Sequence, residues 1–251
     1  MAVVKGINLE EINNEFKKHL YQGYDLFFIH GWFNAYLSAP SDSEEDLLIP
    51  TYLILDEENI ADENKFSKSI DKLVTVYNQI ADNIFENNKP LKPLVNFTKP
   101  NSFDPLLFNN EEKKNLLMWL YGYLTCYLVT SGDAVEYVTD EKLLDEKLYP
   151  ALFTLSVALI TLAKSVPTDF MNDDVRADFF EIVDDVKSMW ESEENESLSV
   201  DELFAQVENE LDLADIVGAL NDIFYVIRVS DENRFAEQPN DTLLGKLNAR
   251  N

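Results

Sequence analysis

One eight-residue pattern occurs twice in this chain, and it limits the fold more than any other feature. The first copy is His30-Gly31-Trp32-Phe33-Asn34-Ala35-Tyr36-Leu37, and the second is Tyr121-Gly122-Tyr123-Leu124-Thr125-Cys126-Tyr127-Leu128. Glycine aligns with glycine, short polar with short polar, small with small, and Tyr-Leu with Tyr-Leu. Glycine is disfavoured inside a helix by about 1 kcal/mol, so its presence in both copies needs a steric reason. Gly31 and Ala35 are four apart, as are Gly122 and Cys126, so each helix carries two small residues on one face. Small faces let backbones come closer than the usual 8–10 Å between helix axes. The two motif helices are therefore expected to pack directly on each other, with Trp32, Tyr36, Tyr123 and Tyr127 around the rims of the crossing.

The rest of the chain reads as helix after helix. Asn8 with Glu11 forms a capping-box pattern, followed by an apolar stripe at Leu9, Ile12, Phe16 and Leu20. A motif helix is expected from about Asp25 to Ala39, ended by Pro40. Ser41 to Asp46 reads as an acidic loop, and Pro50 to Leu55 as a short helix. Between Ser67 and Asn87, Ile70, Leu73, Val74, Tyr77, Ile80, Ala81 and Ile84 share one helical face. Four prolines between Lys89 and Asn110 mark an extended connector. Helices are then expected over 111–130, 134–138 and 140–165, the last ending before Pro167, and over 173–190, 200–211 and 213–229. No run of β-branched alternation demands a sheet. The expected fold is all-α, an irregular helical bundle. The order motif helix, short segment, long helix over 25–88 and again over 115–165 suggests an internal duplication of a helical triplet. Chance recurrence of two glycine–aromatic helices is the alternative.

Pro167 and the polar Asn172-Asp173-Asp174 suggest a division into a helical core over 1–166, an acidic helical subdomain over 167–230, and a flexible polar tail over 231–251. Net charge is −27, from 47 acidic and 20 basic side chains. Between Asp169 and Asp215 there are seventeen acids against Arg176 and Lys187, a local net of −15. Such a surface repels phosphates and anionic lipid heads, so no direct nucleic-acid binding and no membrane association are expected. It suits a protein partner, a basic one included. The ordinary alternative is a solvated acidic face. Tyr149 to Ala163 is the longest apolar stretch and falls short of the roughly 20 residues a span needs, so it reads as a buried helix. The N-terminus shows no basic region followed by a long apolar stretch, and no signal peptide is expected. One cysteine, Cys126, excludes an intrachain disulfide and fits a cytoplasmic location.

Signs of chemistry are few. His19 and His30 are the two histidines, and neither has metal-ligand spacing. No phosphate-binding glycine loop and no nucleophile elbow occur. Cys126, at a small-residue position on an apolar helix, reads as packing. No catalytic residue, metal site or cofactor is expected. Glu181 with Asp184 or Asp185 could approach a cation, but solvation is the plainer reading. His30, Trp32, Tyr36, Trp119 and Tyr123 are the candidate ligand-binding residues, as the lining of an aromatic cleft, with burial in the core as the competing reading.

At His30-Gly31-Trp32, Ala39-Pro40 and Trp119-x-x-Gly122-Tyr123-Leu124, with Pro150 in the later helix, the chain resembles the YecA/YgfB family of uncharacterised bacterial proteins. Leu213 to Val229 is similar to that family's last helix. The resemblance implies an all-helical fold and a bacterial cytoplasmic setting, and it implies no reaction. The cysteine-rich metal-binding tail of many members has no counterpart in these residues. Two functions follow as expectations. One is a non-enzymatic acidic binding or regulatory protein engaging a protein partner. The other is a small-molecule-binding protein or enzyme using an aromatic cleft near His30 and Trp119.

Overall fold

A computed structural model describes residues 24–39, 63–86, 91–94, 109–130, 138–190, 200–207 and 211–237. The fold is all-α, with no strand among the described residues. Among the described residues seven helices follow in order: α1 (Leu26–Ser38), α2 (Glu63–Ala81, continued by a π-helical turn over Asp82–Glu86), α3 (Asn110–Thr130), α4 (Glu141–Ser165), α5 (Asp173–Ser188), α6 (Val200–Val207) and α7 (Leu213–Glu237). The expected helices at 8–20, 50–55 and 134–138 lie wholly or largely outside the described residues, as do the loop 41–46, the linker 191–199, His19 and the tail beyond 237. The short middle element of each proposed triplet lies there too.

Side-chain caps start several of these helices. Asp25 accepts from the amides of Phe27 and Phe28 at 3.0 and 3.1 Å. Asn109, two residues ahead of the expected first helical residue, caps α3 reciprocally: its Oδ1 accepts from Glu112 N at 2.9 Å, and Glu112 Oε2 accepts from Asn109 N at 3.0 Å. Asn172 caps α5, and Asp212 with Asp215 forms a reciprocal box ahead of α7.

α3 and α4 are the central rods. Every residue from Leu116 to Leu124 is buried, and so is every residue from Leu155 to Leu162, which is what a helix enclosed on all sides requires. α1 makes its largest contact with α3, and α7 lies along α4. α5 packs on α3 and α4 through Val175, Phe179, Val183 and Val186. One hydrophobic core therefore takes residues from both sides of the expected 166/167 boundary.

Two expectations need correction, the buried face of α2 and the end of α7. α2 buries Leu73, Val76, Ile80 and Ile84, while Val74 is exposed. Its buried face is turned from the predicted one towards Val76, while Tyr77 of the predicted face is half-buried and meets Phe33 and Tyr36 of α1 edge-on. α7 runs past its expected end at 229 to Glu237. As expected, the apolar stretch 149–163 lies within a longer helix, one of 25 residues that by length and composition alone could cross a membrane. Of its most apolar window, 61% is buried against the other helices, as in the core helix of a soluble protein. Ahead of Tyr149 this helix passes through a π-helical turn over Leu144–Leu148, in which Tyr149 N donates to Leu144 O. Pro150 follows directly. It has no N–H and its ring would crowd the preceding turn, and the wider π-helical turn lies just ahead of it.

Candidate functional site at the crossing of the motif helices

The two glycines face each other's backbones. A Cβ built on Gly31 would stand 2.0 Å from the Trp119 carbonyl oxygen, and one built on Gly122 would stand 2.0 Å from the Phe28 carbonyl oxygen. Neither distance is compatible with any side chain, so the crossing exists in this form only because both positions are glycine. Ala35 and Cys126, the small partners one turn on, are buried as well.

Two stripes meet beside this crossing. On α1, His30, Asn34 and Ser38 recur every four residues and are buried. On α3, Trp119, Tyr123 and Tyr127 recur at the same interval and are buried too. Trp119 Nε1 donates to His30 Nδ1 at 2.8 Å. Asn34 Nδ2 contacts the same Nδ1 at 2.9 Å and donates to His30 O at 2.6 Å. Ser38 Oγ donates to Asn34 O at 2.7 Å. Trp119 and Tyr123 stack with ring centroids 5.4 Å apart. An indole N–H only donates, so His30 Nδ1 must be an acceptor, and the neutral ring carries its proton on Nε2. Burial holds the His30 pKa down at about 3. Burial, and next the neighbouring Tyr127, push the Tyr123 hydroxyl above its ordinary range. Ser38 works the other way on that hydroxyl, although no partner of Tyr123 Oη meets hydrogen-bond geometry. Trp32 Nε1 is also buried without a partner.

The five predicted site residues divide. His30, Trp119 and Tyr123 come together. Trp32 instead packs beside Phe28, at a centroid distance of 5.9 Å, and Tyr36 sits half-buried against Tyr77. Trp32 and Tyr123 are core rather than rim, because the glycines bring the helices close enough to enclose them. Tyr127, expected at the rim of the crossing, belongs to the cluster, and so do Asn34 and Ser38, which were missed. Their signal was present as a polar i, i+4, i+8 register on an otherwise apolar helix, facing aromatic residues in the same register.

Chemically, this cluster consumes its own polarity. The one imidazole acceptor is occupied by two donors, and the ring stays neutral through the physiological range. Such an arrangement fixes helix register and offers no free base. Cys126 is buried, which fits a packing role. Among the described residues, no three His, Cys, Asp or Glu side chains converge as a metal site would require. No family model, curated protein or solved structure matches the chain.

Proposed function

We propose that this chain is a non-enzymatic, acidic helical binding or regulatory protein that engages a basic protein partner. The observation that carries the reading is the charge distribution. The whole chain is −27, and the outer face of α5 exposes Asp174, Asp178, Glu181 and Asp185 at offsets 0, 4, 7 and 11. Those offsets place four carboxylates in one stripe on the side away from Val175, Phe179 and Val186. A surface of this sign accelerates encounter with a cationic partner and rejects anionic ones, duplex DNA included. A bacterial cytoplasmic setting and the likeness to the YecA/YgfB family belong to the same reading, which rests there on the motif residues alone. The alternative, an aromatic cleft around His30 and Trp119 serving a small molecule or a reaction, has less support, since four of its five residues are buried in packing.

Affinity capture at low and high salt tests the proposal, with a variant carrying Asp174→Asn, Asp178→Asn, Glu181→Gln and Asp185→Asn as control. The expected result is a basic protein retained in stoichiometric amount at low salt, released as salt rises, and reduced on the neutralised variant. Retention of a partner that is indifferent to both salt and neutralisation would overturn it.

A further inference from the structure

We draw no further inference here: the strongest candidate, the outer side of α7, where among the described residues nothing stands within 4 Å of a Cβ built on Gly218 and Tyr225 is 49% exposed, carries nothing, because Lys147 and Arg228 already sit over the rings of Tyr225 and Phe224 and nothing in the structure shows what covers it.

Discussion

Replacing Gly31 or Gly122 by alanine should destabilise the protein, although alanine is the better helix former. At an unstrained site the exchange would stabilise by about 0.4–1 kcal/mol, chiefly by restricting the unfolded chain. At Gly31 the added carbon would fall 2.0 Å from Trp119 O and 3.0 Å from Tyr123 N, and at Gly122 it would fall 2.0 Å from Phe28 O and 2.7 Å from Phe28 C. Ordinary contact begins near 3.4 Å, so the helices must separate by about 1.4 Å, the difference between 3.4 and 2.0 Å. The obstacle is backbone in both cases and cannot swing aside. A gap of about 1 Å forfeits a quarter to a half of each facing dispersion well. It also stretches the 2.8 Å bond from Trp119 Nε1 to His30 Nδ1. Overpacking of about 1–3 kcal/mol, reduced by the propensity gain, leaves a net loss of about 1–2 kcal/mol for each single variant. For a chain of this size that lowers Tm by roughly 2–8 °C. The double variant should cost less than the sum, because one separation relieves both clashes. Urea and thermal unfolding of the full chain measure this, with Gly218→Ala, expected to gain about 0.4–1 kcal/mol, as an internal control. A Gly31→Ala protein as stable as wild type, or a strictly additive double variant, would refute the reasoning.

Acidification should weaken the fold through His30. Its folded pKa is about 3 against 6.5 unperturbed, so below about pH 6.5 the unfolded chain takes up a proton that the folded chain refuses. Stability then falls towards acid by up to about 1.4 kcal/mol per pH unit, and His30→Gln should flatten the profile between roughly pH 6.5 and 5; matching wild-type and variant slopes would argue against a buried neutral imidazole. Trp119→Phe keeps the stacked ring but removes the indole donor to Nδ1, and should cost about 1–2 kcal/mol in urea unfolding, whereas no change would mean the bond contributes nothing. Asn221 accepts from Leu91 N at 3.0 Å and donates to Leu91 O at 3.1 Å, so Asn221→Leu should cost about 1–3 kcal/mol and speed exchange of the Leu91 amide; an unchanged exchange rate would count against this strap.

The crossing was legible because glycine inside a helix is an intrinsic fault that only close approach repairs. Two such faults in matching patterns therefore predicted their own contact. The buried face of α2 was less legible. Apolar residues at 70, 73, 74, 77, 80, 81 and 84 define a broad stripe, and a neighbouring helix decides which edge goes inside. Here Val76 is enclosed and Val74 left out, a rotation of about half a residue step. The π-helical turns could not be read, since an i→i−5 bond leaves no composition of its own; Pro150 hinted at the second. The extension of α7 to Glu237 was hidden by polar residues after Val229, which mark solvent exposure as readily as a helix end.

The same physics separates the two candidate sites. A buried polar group is tolerated when the fold supplies its partner, and the stripe His30, Asn34, Ser38 is bonded within α1 and to Trp119. Its histidine stands where sequence reading looks first for chemistry, yet its geometry specifies register. Across the molecule, α7 shows the reverse. Among the described residues nothing stands near a Cβ at Gly218, and Tyr225, though Lys147 sits over its ring, leaves half its surface in water. Features that the fold does not explain are the ones that point outward. Among the described residues those are Gly218 and Tyr225 on the outer side of α7, and not the conspicuous histidine.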